Sequence, residues 1–396
     1  MLSRIFQLPK TVWLIGLISF MNDSASEMLY PLIPLYLSSV LMSGPKIIGL
    51  IEGVAEATAS IFKLVSGAIF DKNHKAKPWM ILGYSMAGFG RPLLAFASSW
   101  VWILVIRFFD RIGKGLRSSP RDAVLALSVV PSERGLAYGL HRSLDNAGAV
   151  LGPLIAAFLL YLGVPLKEVF LWALLPACIA LMLTLAIKDP QSDISPGVVK
   201  FSWSFSVMPT GLKKYLLVLG LFTLGNSSDM FLLLRAKELG VPQEQIPLLW
   251  AAVSLITTLF GTPLSGLSDR FDRKKFILIA WLVFAGFYFG MGQSALSIWG
   301  LFGLFALYGL FKAATEGVEK ALVADLAPVG LTGTAFGWFN LVSGIMLLPA
   351  SLIFGWLYES FGPMYAFSFS GVLAMSSALL MLFWVSNKSN SADLLR

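Results

Sequence analysis

Twelve apolar stretches recur along this chain, at roughly 11–40, 46–70, 77–99, 101–125, 135–163, 165–188, 213–235, 243–268, 274–294, 297–322, 332–357 and 362–386. Each is long enough to cross a bilayer as a helix, and a helix satisfies its own backbone hydrogen bonds in lipid. Twelve spans of about 20 residues need about 240 residues; 57% of 396 residues, about 226, are hydrophobic. Only 13% are charged, about half the usual share of a soluble chain. A soluble surface cannot be built from so few charges, and the remainder leaves short loops without a large soluble domain. Internal prolines (Pro31, Pro34, Pro92, Pro120, Pro153, Pro349) are compatible, because membrane helices tolerate them. The expected fold class is an all-α polytopic membrane protein of twelve transmembrane helices.

Loop charge sets the expected orientation. Lys72, Lys75 and Lys77 follow the second span; Arg270, Arg273, Lys274 and Lys275 follow the eighth; Lys188, Lys200, Lys213 and Lys214 lie between the sixth and seventh. The loops after spans three and nine carry no charge. The positive-inside rule then puts both termini in the cytoplasm, in a bacterial-type inner or plasma membrane. The net charge of +8 belongs to these loops, so no nucleic-acid partner is expected. The first segment is expected to be a span rather than a cleaved signal, since it stays apolar through Tyr36. The single cysteine, Cys178, excludes an intrachain disulfide and a Cys-rich metal site.

The chain reads as two copies of one half. A shift of 198 residues carries Asp71 onto Asp269, Lys114 onto Lys312 and Gly135–Gly139 onto Gly333–Gly337, and with a small slip Asn22–Met28 meets Asn226–Met230. The expected organisation is two pseudo-symmetric six-helix bundles, 1–188 and 213–396, joined by a polar cytoplasmic linker, 189–212.

Three motifs then fall on the expected spans. Gly67-Ala-Ile-Phe-Asp71-Lys72-Asn-His-Lys75 follows span two, with a looser copy, Gly266-Leu-Ser-Asp269-Arg270-Phe-Asp272-Arg273-Lys274, after span eight. Arg107-Phe-Phe-Asp110-Arg111-Ile-Gly113 lies in span four, and Gly148-Ala-Val-Leu-Gly152-Pro153 in span five. With these, the whole chain resembles the major facilitator superfamily of secondary transporters. It departs at Lys72, where Arg is usual, at Arg111, where Gly is usual, at Ser265, which takes the place of the second loop's Gly, and at Ala156-Ala157, where Gly-Gly is usual. The resemblance implies a cytoplasmic gate at Gly67, Asp71, Lys72, Lys75, Asp269, Arg270 and Arg273. It implies exporter-like character through the fifth-span motif. Independently of it, Gly148 and Gly152 allow close backbone approach and Pro153 permits a bend.

Span four carries Arg107, Asp110, Arg111, Lys114, Arg117, Arg121 and Asp122 on one helical stripe. A cation at mid-membrane costs about 2.5–3.5 kcal/mol, so the stripe must face a wet cavity or carboxylates on other helices. Arg117, Arg121 and Asp122 are expected to form a solvated cytoplasmic face, and the deeper four to line a cavity. Partners are available in Asn22, Asp23, Glu27, Glu52, Glu56, Arg91, Arg142 and Asp145. The second half offers Asn226, Asp229, Lys312 and Glu316, with Lys312, Glu316 and Lys320 spaced for an ion-pair ladder. Asp23, Glu27, Glu52 and Glu56 are the candidates for a coupling proton; the alternative for these charges is a permanent salt-bridge lattice.

There is no phosphate-binding loop, HExxH, GxSxG or CxxC pattern, so neither an enzyme nor a cofactor is expected. The expected function is secondary active transport of a small solute by alternating access, as proton-coupled export by a monomer. Two alternatives stand beside it. Asp23, Glu27, Asp229, Asn22 and Asn226 could hold a divalent cation for export, although a dedicated metal site is not expected. The chain could also be a receptor or scaffold that keeps a transporter fold.

Overall fold

The computed structural model describes residues 6–73, 75–129, 134–187, 205–268, 272–293, 297–327 and 332–385. Among these residues there is no strand. The helices are α1 (Lys10–Leu29), α2 (Ile33–Ser39), α3 (Pro45–Asn73), α4 (Lys77–Gly90), α5 (Trp100–Leu127), α6 (Arg134–Tyr161), α7 (Leu166–Trp172), α8 (Leu174–Leu185), α9 (Thr210–Gly225), α10 (Met230–Glu238), α11 (Ile246–Ser268), α12 (Arg273–Met291), α13 (Ile298–Thr315), α14 (Val318–Leu326), α15 (Thr332–Phe361) and α16 (Pro363–Trp384). Short breaks subdivide the expected spans, so the sixteen helices among the described residues fall into twelve membrane-length stretches. A 3-10 turn at Tyr30–Leu32 separates α1 from α2, beside Pro31 and Pro34, and another continues α4 through Arg91–Phe96, at Pro92. Pro120, Pro153 and Pro349 lie inside unbroken helices.

Eight stretches, the fifth to the twelfth, are long and apolar enough to qualify as membrane spans on those grounds alone among the described residues. The first four fall short because they carry the interior charges: Asp23 and Glu27, then Glu52, Glu56 and Lys63, then Arg91, then the stripe on α5. The chain is nevertheless the twelve-helix, all-α membrane protein expected.

By its contacts the chain divides into two compact units. One comprises Met1–Ser43, Val54–Val198 and Gly240–Leu255; the other comprises Gly44–Gly53, Val199–Leu239 and Ile256–Arg396. In the first unit α1 packs on α6 and α8, and α4 on α5. Its apolar core joins Val12, Ile15, Ile18, Tyr84, Val124 and Ala180. A Cβ at Gly148 would lie 2.4 Å from the Phe20 carbonyl oxygen, and one at Gly152 would lie 2.5 Å from that of Ser24. The α1–α6 crossing is therefore backbone on backbone.

The second unit is built on aromatic packing. Phe222 stacks on Trp281 at 4.3 Å, Phe284 on Tyr288 at 4.2 Å, and Phe287 on Tyr308 at 4.8 Å. The start of α3 rests against α15 here, where Lys46 Nζ meets Glu359 Oε1 at 3.2 Å. The polar interruption in span seven is a true break: Asn226 caps α9 outside helical geometry, and α10 begins only at Met230. In span one the matching residues Asn22–Glu27 stay helical.

Candidate functional site

Three arginines and one aspartate make the buried centre of the first unit. Arg107, Asp110 and Arg111 on α5 are 5%, 2% and 5% exposed, and Arg91 is 5% exposed. Their spacing on one helix turns them to the same side, and burial of so many charges is tolerable only with partners. Arg91 donates from Nε to Asp110 Oδ1 at 2.9 Å. Its Nη1 reaches both the Asn22 carbonyl and Asn22 Oδ1 at 3.2 Å. Arg91 thus ties α1 to α5. Arg107 Nη1 faces Asp110 Oδ2 at 3.9 Å, and its guanidinium lies over the Tyr30 ring at 5.8 Å. A void of about 10 Å³ bounded by Ser26, Arg91, Arg107 and Asp110 adjoins this group; it is of the size that holds one water.

Arg111 Nη2 pairs with Glu56 Oε1 of α3 at 3.1 Å. Lys114, one turn further, is partly exposed on the same side. The stripe on α5 therefore faces inward; Arg111 meets a carboxylate on another helix and Arg107 one on its own, whereas among the described residues no ion pair holds Lys114. Arg117 does not form the solvated face expected of it. It is 4% exposed, lies over the Tyr84 ring at 4.7 Å and donates to the Gly83 carbonyl at 3.3 Å. An aromatic face and a close helix neighbour shelter it where a snorkelling chain was expected. Arg121 pairs with its neighbour Asp122 at 2.9 Å and donates to Ser19 Oγ, which also contacts His141 Nε2 at 2.8 Å.

The carboxylates of α1 have separate partners. Asn22 Nδ2 donates to Asp23 Oδ1 at 2.9 Å, and the close α1–α6 crossing brings the Asp23 carboxyl beside that of Asp145 on α6. Glu27 accepts from Trp250 Nε1 at 2.8 Å, and Trp250 packs on Tyr30 at 5.2 Å. Arg142, expected among the interior partners of the stripe, is instead exposed (54% of its side chain) and meets Asp145 Oδ2 at 3.5 Å. It sits one turn before Asp145 on α6, turned away from the packed face that Gly148 and Gly152 create. Pro153 follows them within the same helix. Glu52 is buried in the α3 segment that belongs to the second unit.

In the second unit Asp229 stands at the helix break just before α10. Its Oδ2 accepts from Lys312 Nζ at 3.1 Å, and its Oδ1 accepts a short hydrogen bond from the Tyr308 hydroxyl. Asn226 lies three residues before it, within the break. α13 ends at Thr315 and α14 starts at Val318, so a turn falls within the stretch that carries Lys312, Glu316 and Lys320. Glu316 is exposed at that turn, and Lys312 reaches Asp229. Lys312→Met should expose this arrangement: Asp229 loses its counter-charge, and we expect a loss of about 1–3 kcal/mol in detergent unfolding, partly restored by a second change, Asp229→Asn.

Of the expected gate, Arg273 pairs with Asp325 at 2.9 Å and Lys75 is exposed. Gly67, Asp71 and Lys72 lie on helical α3 backbone, with their side chains outside the described residues; Asp269 and Arg270 lie outside them altogether. Sequence reasoning missed Tyr30, Tyr84, Trp250 and Tyr308, each of which touches a charged group. Nothing marks these aromatics among the 52 that the chain carries as 12 Trp, 10 Tyr and 30 Phe.

Comparison with known proteins bears on the whole chain. The family model of the Major Facilitator Superfamily matches residues 12–234 and 215–395. An uncharacterized MFS-type transporter of Methanocaldococcus jannaschii is 35% identical over 389 residues, covering 95% of each chain. The multidrug resistance protein MdtH of Aeromonas hydrophila is 22% identical over 330 residues, covering 83% of each. A solved POT family transporter in complex with a thioalcohol-conjugated peptide has the same fold, with a TM-score of 0.80 at 12% identity, covering 98% of this chain and 97% of its own.

Proposed function

The chain belongs to the Major Facilitator Superfamily, and from that premise we propose that it exports a small solute in exchange for protons by alternating access. That it is a multi-pass membrane transporter follows from the family. The coupling ion, the direction and the residues involved are the proposal.

The observation that carries proton coupling is the tight α1–α6 crossing that sets the Asp23 and Asp145 carboxyl groups beside each other. Two carboxylates set side by side repel, and one proton shared between them relieves the repulsion. In this reading the pair holds a proton inside the first unit. Around it stand Glu27 on its own helix, Lys114, Arg117, Arg121 and Asp122 on α5, and His141 and Arg142 on α6. A shift of these cations toward or away from the pair changes its hold on the proton, which is what alternating access requires. Glu56 is less suited, since Arg111 already pairs with it. Glu27 is held by Trp250.

Proton coupling is preferred to divalent-cation export because Asp229 is occupied by Lys312 and Tyr308. Among the described residues no three His, Cys, Asp or Glu residues are grouped to hold a metal ion. Export is supported by the glycine pair and Pro153 on α6 and by the likeness to MdtH. The reading keeps both termini in the cytoplasm of a bacterial-type membrane, and takes the chain as a monomer of two halves, 1–188 and 213–396.

The test is transport in proteoliposomes, with a solute first chosen by its thermal stabilisation of the purified chain. Asp23→Asn and Asp145→Asn should each reduce pH-gradient-driven accumulation to background while solute–solute exchange persists. Native accumulation in both variants would remove the proton pair from the mechanism.

A further inference from the structure

Every deep arginine of the first unit has a partner, but two lysines beside them do not. Among the described residues, no ion pair or hydrogen bond holds the ammonium group of Lys63 on α3 or of Lys114 on α5. The two helices are forced together at this level. A Cβ at Gly115 would lie 2.4 Å from Phe62 Cβ and 3.0 Å from the Lys63 backbone nitrogen. Ser66 Oγ donates across to the Gly115 carbonyl, and Ser119 Oγ to that of Lys63, both at 2.8 Å. Lys63 is therefore fixed beside Gly115, next in sequence to Lys114. The Glu56–Arg111 pair joins the same two helices, two turns before Lys63 on α3 and one turn before Lys114 on α5.

The local charge is unbalanced. Arg111, Lys63 and Lys114 carry three positive charges, and of the carboxylates nearby Glu56 is taken by Arg111, Asp122 by Arg121 and Asp23 by the Asn22 amide. Uncompensated cations within a membrane-spanning bundle are costly unless they meet water or an anion. Both lysines are partly exposed, as is Glu56, so the group borders open space and is not sealed in protein. A lysine ammonium on a flexible stem suits an arriving ligand, whereas the arginines, each fixed by a partner, suit the framework.

We infer that Lys63 and Lys114 form the subsite that receives the anionic group of the transported solute, a carboxylate or a phosphate. The inference rests on the transporter reading and names the substrate class for it. An incoming anion would restore the charge balance and draw the two ammonium groups together on α3 and α5. Arg111 stays bound to Glu56 and supplies field more than contact.

The experiment compares isosteric probes on the full chain in phosphatidylcholine nanodiscs at constant ionic strength. Benzoate, phenyl phosphate and citrate carry the negative charge; benzamide is neutral and benzamidine is cationic. The anions should raise the melting temperature and the other two should not. Lys114→Gln should weaken the response to the anions by about tenfold in concentration, as expected for the loss of one charge-assisted contact. Lys63→Gln with Lys114→Gln should abolish it, and Lys114→Arg should restore most of it. Without a probe, the Gln variants should melt no lower than the native chain, because they remove unpaired charges.

Stabilisation by benzamidine equal to that by benzoate would overturn the assignment while leaving the transporter reading intact. So would silence from all the probes, or unfolding of the Gln variants, which would mean that the lysines hold the fold. Lysine-dependent stabilisation by phosphatidylglycerol nanodiscs, with no response to the free anions, would assign the lysines to a lipid headgroup and also overturn it. Native proton-driven flux in Asp23→Asn with the probe pattern intact would overturn the proton reading alone, and loss of the probe pattern with Asp23-dependent flux intact would overturn the anion subsite alone.

Discussion

Asp110→Asn is expected to destabilise the chain by about 3–5 kcal/mol, the cost of breaking a buried ion pair by removing one partner. Asp110 is 2% exposed and faces Arg91 and Arg107, each 5% exposed. The amide keeps the shape and one acceptor but removes the charge that offsets two guanidinium groups. Arg91 is also the residue that holds Asn22, so the loss spreads from α5 to α1. Unfolding followed in detergent or nanodiscs measures it. The double variant Arg91→Gln with Asp110→Asn should be less damaging than the sum of the single changes, because neither partner is then left alone. A loss below about 1 kcal/mol for Asp110→Asn would show that the network is solvated in a way that its burial does not allow.

The second large effect is steric. Gly152→Val should prevent α1 and α6 from meeting at their present distance. A Cβ at Gly152 would sit 2.5 Å from the Ser24 carbonyl oxygen and 2.7 Å from the Met28 nitrogen. Those are backbone atoms of a helix, and they cannot turn aside as a side chain could. The expected loss exceeds the usual overpacking cost of about 1–3 kcal/mol. Gly148→Ala should do nearly as much, since its Cβ would meet the Phe20 carbonyl at 2.4 Å. Asp145 lies one turn before Gly148, so separation of the helices also parts Asp145 from Asp23, and transport should fall further than folded yield. Gly303→Ala is the control. Nothing lies within 4 Å of its Cβ position, and a helical Gly→Ala change there should be neutral or stabilising by about 0.5–1 kcal/mol.

The division between what could and could not be read in advance follows the range of each interaction. Hydrophobic run length located the helices, because the bilayer imposes one length on all of them. The inward turn of Arg107, Asp110 and Arg111 was legible because the 3.6-residue period and the cost of exposing charge to lipid leave no other side. Which carboxylate each arginine would meet was not legible. Arg91 finds Asp110 on another helix, and no local pattern encodes that crossing. Arg117 went to Tyr84 because helix packing brought a ring over it, and Arg142 turned outward because the glycines of α6 fix which side faces α1.

The repeat was also an incomplete guide. Lys114 and Lys312 share a register under the 198-residue shift, yet Lys312 pairs with Asp229 whereas Lys114 has no such partner among the described residues. Asn226 sits in an unwound segment, whereas Asn22 stays helical. The adjacent Gly225 and the two serines after Asn226 offer local alternatives to helix, and at Asn22 the chain instead remains helical until the proline-bearing turn at Tyr30.

Proton release on solute binding, measured with the purified chain in weak buffer, tests the Asp23–Asp145 assignment most directly. A solute that displaces the shared proton should release about one proton per molecule bound to the native chain, and none to the Asp23→Asn variant. Equal release by the native chain and by the variant would contradict the account.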